Sequence, residues 1–300
     1  MTQAPKHCGF CAIIGAPNAG KSTLVNALAG TKVSIVSRKA QTTRARLRAI
    51  VMEGEAQIVF VDTPGIFTPK RRLDEAMVDS AWSGAREADA MIVLVDGRRG
   101  LGEEFTTLLE GLKAAKTGAI LAINKIDLIK RERLLRIAAD LNAAFPFEAT
   151  FMVSALTGSG LADLRKYVAA KMPEGPWLYP EDQVADVQLR FMAAEITREK
   201  LYDRLHEELP YASTVETEGW EERKDGSVKI DQTIYVERDG QKMIVLGQGG
   251  RSIKLIGQLA RAEMEKAFER RVHLFLFVKV RENWAKDPER LRMMGLETRG

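Results

Sequence analysis

Gly15-Ala16-Pro17-Asn18-Ala19-Gly20-Lys21-Ser22 is the stretch on which the reading of this chain turns. It fits the pattern G-x-x-x-x-G-K-[ST] at every position. The apolar run Phe10–Ile14 before it reads as a strand, and Ser22–Leu28 after it reads as a helix. That setting gives the pattern a mechanism. Glycines let the backbone curl until successive N–H groups point at phosphate oxygens, and the helix N-terminus adds partial positive charge. Lys21 would reach the outer phosphates, and the Ser22 hydroxyl would hold Mg²⁺. Thr23 continues the same cradle. A bare glycine-rich turn would require neither the lysine nor the strand.

Outward from this loop, strand and helix patterns alternate. Phe10–Ile14, Arg44–Val51, Gln57–Val61, Ala90–Val95, Ala119–Asn124 and Ala149–Val153 read as strands. Helical stretches fall at Lys21–Ala29, Leu73–Glu87, Glu103–Ala115, Arg131–Ala144 and Leu161–Lys171. Ile58-Val59-Phe60-Val61 and Met91-Ile92-Val93-Leu94-Val95 are continuously apolar, as strands covered on both faces must be. The expected fold class is α/β, a doubly wound, mostly parallel sheet with an antiparallel edge strand. Ligands of such sheets sit at the carboxyl ends of the strands, and the remaining motifs fall there.

Asp62-Thr63-Pro64-Gly65 follows the strand ending at Val61. Asp62 can hold Mg²⁺ through water, and the Gly65 N–H can sense a γ-phosphate. Asn124-Lys125-Ile126-Asp127 follows another strand. A carboxylate at Asp127 accepts two hydrogen bonds from guanine's N1–H and exocyclic amine. Adenine offers no such pair and would leave the carboxylate unsatisfied. The Lys125 stem would pack over the base. Ser154-Ala155-Leu156 follows the last strand, where a backbone N–H near Ala155 would bind guanine O6. The base-reading segment disfavours an ATP-dependent kinase.

These elements, in this order, resemble the translation-factor-related class of P-loop GTPases over the whole first domain. The resemblance implies GTP/GDP as ligands and Mg²⁺ as cofactor. It also implies a first-switch threonine that closes over the metal, within Ser37-Arg38-Lys39-Ala40-Gln41-Thr42-Thr43-Arg44. Thr43 is the first choice and Thr42 the alternative. Lys21, Thr43, Asp62, Gly65 and Asn18 are the expected catalytic set, with Ser22, Thr43 and Asp62 at the metal. Ile66 stands where Ras-like enzymes carry a water-orienting Gln, so slow intrinsic hydrolysis is expected. Asn18 is typical of relatives that use K⁺ in place of an arginine finger.

Pro173-Glu174-Gly175-Pro176-Trp177-Leu178-Tyr179-Pro180 cannot continue a helix and reads as a linker. The expected division is 1–172, a linker at 173–182, and 183–300. Trp177 and Tyr179 would pack the linker against one domain. Beyond it, Asp186–Leu209 reads as a helix, and Ala212–Arg223 and Ser227–Arg238 as a hairpin turning at Lys224-Asp225-Gly226. A short helix, Gln241–Leu246, precedes Gly247-Gln248-Gly249-Gly250. A second helix, Arg251–Arg270, and a strand, Val272–Val280, follow. The order α-β-β-α-α-β with G-x-x-G between adjacent helices resembles a smaller, α+β, type II KH domain, whose loop clamps a nucleic-acid backbone. Lys242, Arg251 and Lys254 flank the loop and are the phosphate-contact candidates. Residues 242–292 hold about 12 Lys/Arg against about 6 Asp/Glu, the reverse of the acidic segment 181–241.

One P-loop domain followed by one such KH domain resembles a family of bacterial ribosome-assembly GTPases. Glu208-Leu209-Pro210-Tyr211, Ile256-Gly257 and Asp287–Gly295 carry further likeness. The resemblance implies binding near the 3′ end of small-subunit ribosomal RNA, help in maturing the small ribosomal subunit, peripheral association with the inner membrane, and a monomer. The chain departs from its relatives at Gly249, where they usually have lysine.

Composition fits this reading. A net charge of +4 and a pI near 9.0 suit a polyanionic partner. No apolar run reaches the ~18 residues of a membrane span, and the N-terminus lacks a signal peptide's apolar region, so a cytoplasmic location is expected. Cys8 and Cys11 form a C-x-x-C beside His7. With no second Cys/His cluster to complete four ligands, they read as buried strand residues. His206 reads as structural.

Overall fold

The computed structural model describes residues 5–37, 39, 41–115, 118–186, 188–205, 209–287, 290, 291 and 296. Arg38, Ala40, His206, Glu208 and residues 288, 289 and 292–295, named above, lie outside them. The chain divides into two compact units. The first takes residues up to Ser34, Thr43–Asp186 and Leu296. The second takes Ile35–Thr42 and the described chain from 188 to 291.

The first unit runs β1 (His7–Ile14), α1 (Lys21–Ala29), β2 (Leu47–Glu53), β3 (Ala56–Asp62), α2 (Arg72–Glu87) and β4 (Ala90–Asp96). It continues with α3 (Glu103–Ala115), β5 (Ile120–Asn124), α4 (Arg131–Ala144), β6 (Ala149–Met152) and α5 (Leu161–Ala169). The sheet order is β2-β3-β1-β4-β5-β6. Only β2 is antiparallel to its neighbour. The chain leaves β1 for one side of the sheet and returns on the other, so the carboxyl end of β1 opens at a topological switch point.

β3 is buried at every position, the outcome its unbroken apolar run requires. On one face, Val93, Val95, Leu121 and Ile123 meet Phe105, Leu108 and Leu112 of α3 and Leu134 and Leu141 of α4. Each such buried side chain contributes about 1.5–3 kcal/mol. α2 begins where the Asp74 carboxylate accepts the backbone N–H groups of Lys70 and Arg71, at 3.2 and 3.1 Å. Cys8 and Cys11 are both buried free thiols, and burial pushes the Cys11 thiol up.

Residues 173–186 do not hang free. Cys8 N–H donates to Pro173 O at 3.0 Å, and Trp177 Nε1 donates to Glu55 O at 3.1 Å. Gln57 accepts the N–H groups of Leu178 and Tyr179 at 2.9 and 3.0 Å. Ile50 N–H reaches Val184 O at 3.0 Å, and Asp186 N–H reaches Arg48 O at 3.2 Å. These bonds explain why the first unit extends to Asp186 rather than ending at 172.

The second unit runs α6 (Leu189–Arg204), β7 (Ser213–Glu222), β8 (Val228–Val236), α7 (Asp239–Leu246), α8 (Arg251–Phe268) and β9 (Val272–Val280). β8 pairs antiparallel with β7 and parallel with β9. At the hairpin Gly226 takes φ 80°, and Asp225 Oδ1 accepts the Ser227 N–H and hydroxyl. Ile196 and Leu201 of α6 and Ile256, Ala260 and Met264 of α8 bury against Val228, Ile230 and Ile234 of β8. α6 is shorter than the expected Asp186–Leu209. Asp186 is held in the preceding strap, and Leu205 turns extended at φ −88°, ψ 151°. Ile35–Thr42, expected in the first domain, groups with this unit because it is bonded along α6.

Candidate functional site

The phosphate loop joins β1 to α1. Lys21 is buried, and its Nζ donates to Gly15 O and Ala16 O, both at 3.0 Å. Burial pushes this ammonium down to about 8, against the opposing charges of Asp62 and Glu104. Gly20 takes φ 102°, and a Cβ there would lie 2.4 Å from Asn124 Nδ2. Only glycine lets the loop approach β5 so closely. Asn18 is exposed at φ 62°. Ile66 N–H donates to Gly15 O at 3.0 Å, so Asp62-Thr63-Pro64-Gly65 is tied to the loop.

Three predicted metal ligands come together. Thr43 Oγ1 lies 2.8 Å from Ser22 Oγ and donates to Asp62 Oδ2 at 3.4 Å. The same carboxylate oxygen accepts Ser34 Oγ at 2.7 Å. Asp62 is fully buried, and its Oδ1 has no hydrogen-bond partner. Burial raises the Asp62 pKa, opposed by the Ser34 hydrogen bond and the Lys21 charge. An orphaned carboxylate oxygen beside two hydroxyls fits a hard, oxygen-seeking cation such as Mg²⁺. Thr42 is placed elsewhere: its hydroxyl donates to Lys39 O at 2.9 Å, and Arg198 takes its carbonyl. Ser34 gave no sequence signal.

At the base end, Asn124 is a strut. Its Nδ2 donates to Ala19 O at 2.9 Å, and its Oδ1 accepts the N–H groups of Lys125 and Ala155 at 2.8 and 2.9 Å. The Ala155 amide expected at guanine O6 is therefore engaged by Asn124, and the next amide, Leu156, carries an 80 % exposed side chain. Lys125 Nζ donates to Asn18 O at 2.6 Å and Asp96 Oδ2 at 2.8 Å. Burial would raise Asp96, but hydrogen bonds from Arg98 and Lys125 prevail and hold it at about 2. Sequence reading missed Asp96, although its place at the carboxyl end of β4 was a signal. Asp127 is exposed, with Oδ1 accepting Ser154 Oγ at 2.6 Å. Ile66 is 2 % exposed and packed in the core, so nothing at that position reaches a water at the phosphates.

In the second unit, Gly247-Gln248-Gly249-Gly250 turns between α7 and α8. Gly247 takes φ 70°, where a Cβ would meet Ser252 Cβ at 2.7 Å. Around Gly249 and Gly250 a Cβ would meet nothing within 4 Å, so the loop backbone lies open. Arg251 and Lys254 are exposed at the start of α8, and Lys242 is half-buried on α7. Beside them Met243 and Ile244 are 69 % and 59 % exposed. Sequence reading passed over this apolar pair.

The family described as "50S ribosome-binding GTPase" matches residues 10–125, and the KH domain family matches 208–285. GTPase Era of Afipia carboxidovorans is 64 % identical, over 98 % of this chain and 95 % of that one. The chain belongs to the Era family of GTPases. GTPase Era of Brucella suis is 62 % identical, over 96 % of this chain and 93 % of its own. A crystal structure of Era with MgGDPNP and nucleotides 1506–1542 of 16S ribosomal RNA superposes with TM-score 0.92 at 37 % identity, covering 97 % and 99 % of the two chains. A single-residue variant of Aquifex aeolicus Era bound to GDP·AlF₄⁻ superposes at TM-score 0.91, with the same identity and coverage. This Era-family chain is thus a GTPase, a P-loop domain followed by a KH domain. Among its described residues no helix is long and apolar enough to cross a membrane.

Proposed function

We propose that this chain is a GTP-driven switch that binds the 3′ region of small-subunit ribosomal RNA and assists small-subunit assembly. The convergence of Ser22 Oγ, Thr43 Oγ1 and the orphaned Asp62 carboxylate carries the switch reading. The relative crystallised with nucleotides 1506–1542 of 16S ribosomal RNA supports the RNA.

Gly15 to Thr23 cradle the phosphates, with Lys21 on the outer two. Ser22, Thr43 and Asp62 hold Mg²⁺, which when bound neutralises charge at the β- and γ-phosphates. Gly65 N–H reads the γ-phosphate. Asp127 and Lys125 bind guanine, with Asn124 and Ser154 bracing them and an amide at Ala155–Leu156 near O6. Asn18 would help hold K⁺, which would supply positive charge at the phosphates; equal turnover in K⁺ and Na⁺ buffers would remove that role. Gly247 to Gly250 clamp the RNA backbone, with Lys242, Arg251 and Lys254 on phosphates. The chain acts as a cytoplasmic monomer that associates peripherally with the inner membrane.

The test is affinity for a 16S 3′-end oligonucleotide and a scrambled control, each with GDP and with a non-hydrolysable GTP analogue. Selective binding that changes with the nucleotide is expected. Equal, weak binding to both oligonucleotides would overturn the RNA assignment.

A further inference from the structure

Asp96 closes β4, and Asn124, its register partner on the neighbouring strand, closes β5. The turn after β4 is pinned to both. Gly97 N–H donates to Asn124 O at 2.9 Å, and the Asp96 carbonyl accepts Arg99 and Gly100 N–H at 2.9 and 3.2 Å. The Asp96 carboxylate therefore stands at a fixed place beside Lys125, the residue after Asn124. Asp96 is 6 % exposed.

Arg98 and Lys125 share this carboxylate. Arg98 forks onto it, with Nε on Oδ1 at 3.0 Å and Nη2 on Oδ2 at 2.6 Å, and the Arg98 N–H also donates to Oδ1 at 3.0 Å. The terminal torsion of an aspartate is otherwise broad, so the fork fixes the plane of the group. Lys125 Nζ takes the lone pair that remains on Oδ2, at 2.8 Å. Lys125 itself sits at φ 66°, a left-handed conformation that side chains rarely adopt. Asn124 Oδ1 holds its N–H, and its ammonium also donates to Asn18 O at 2.6 Å. A lysine stem is flexible and its ammonium a point charge, so the stem lies flat over a ring only if the far end is held. Asn18 offers a neutral carbonyl from an exposed loop position. Asp96 offers a buried, clamped negative charge.

We propose that Asp96 is a positioning residue for guanine nucleotides: clamped by Arg98, it holds the Lys125 ammonium so that the Lys125 stem covers the face of the base. The proposal rests on the reading of Lys125 as the residue packed over the base. Asp127 reads the edge of the base, whereas Asp96 governs its face through Lys125. Its effect is therefore the same for purines that differ only at the edge.

The test uses the full chain, with affinity and dissociation rate measured for guanosine and inosine diphosphates. Inosine lacks the exocyclic amine that Asp127 reads. Asp96→Asn keeps the side chain's volume and the acceptor for Arg98 N–H, but loses the charge facing Lys125. It should weaken both nucleotides about tenfold, as the loss of one charged hydrogen bond would, mostly through faster dissociation. Their affinity ratio should stay within about twofold. In a Lys125→Met background the same change should cost no more than about twofold, since the ammonium it serves is gone. An equal tenfold loss in both backgrounds would mark a general loosening of the β4 end and overturn the proposal. A changed nucleotide ratio in Asp96→Asn, or parental affinity there beside a weak Lys125→Met, would also overturn it. A parental Lys125→Met would instead overturn the reading of Lys125. Arg98→Met alters a half-exposed side chain and leaves Asp96 in place. It should weaken both nucleotides about threefold, with the ratio kept, and parental affinity there would overturn the clamp.

Discussion

Asp127 and Lys21 show how much a single side chain decides. Asp127 is exposed yet already oriented by the Ser154 hydroxyl at 2.6 Å, so it meets the base without rearranging. Asp127→Asn keeps that acceptor but presents an N–H where guanine also donates. GDP affinity should fall by about 3–6 kcal/mol, two hydrogen bonds to a charge, and xanthosine diphosphate should compete better than GDP. Competition binding checks this, and an unchanged guanine preference would contradict it. Lys21 titrates at about 8 because burial disfavours its charge. Its folded pKa lies below the ordinary 10.5, so the folded state binds fewer protons. The stability contribution is present at high pH and lost as pH falls from 10.5 through about 8. Phosphate binding favours the charged form, so above pH 8 binding must take up a proton. GDP affinity should drop toward about tenfold per pH unit there, with a flat profile in Lys21→Arg. Calorimetry in two buffers of different ionisation enthalpy reads the proton directly.

At the scale of elements, the sequence was most legible where burial and punctuation agree. α1, α3, α4 and β9 have the expected bounds, and the apolar runs of β3 and β4 are central strands. The G-x-x-x-x-G-K-S, Asp62 and Asn124–Asp127 motifs all lie at carboxyl ends of strands. Illegible were relations between distant residues. Thr42 and Thr43 are chemically alike in sequence, and it is the hydroxyl contacts, Thr43 to Ser22 and Asp62 and Thr42 to Lys39 O, that separate them. The buried Glu195, Arg198 and Glu199 read as an ordinary polar helix face, because periodicity does not reveal a loop that packs over it. The open loop at Gly249 yields its own prediction. Gly249→Lys places a charge where a Cβ meets no obstacle, though φ 60° costs about 1 kcal/mol in a residue with a side chain. RNA affinity at low salt should rise, the slope of log K against log salt should steepen by about 0.7, and the melting temperature should fall slightly. An unchanged salt slope would mean that the loop touches no phosphate.

For the whole molecule, GTP and RNA must influence each other equally. If the GTP analogue tightens RNA binding by some factor, RNA must tighten the analogue by that factor, typically 1–3 kcal/mol. Titrating each ligand with the other present checks this, and unequal factors would mean that one of the titrations had not reached equilibrium. The strap at residues 173–186 has a further consequence. β2 is the last strand on its side of the sheet, and the strap bonds to its open backbone at Arg48 and Ile50. Without that cover, unsatisfied N–H and C=O groups would offer a template to other chains. A GTPase fragment cut at residue 172 should therefore self-associate, whereas one ending at 186 should stay dispersed, which sedimentation of the two would reveal. The proline-rich tether, besides joining two domains, is a guard against aggregation, and the first domain is safely made alone only if it keeps it.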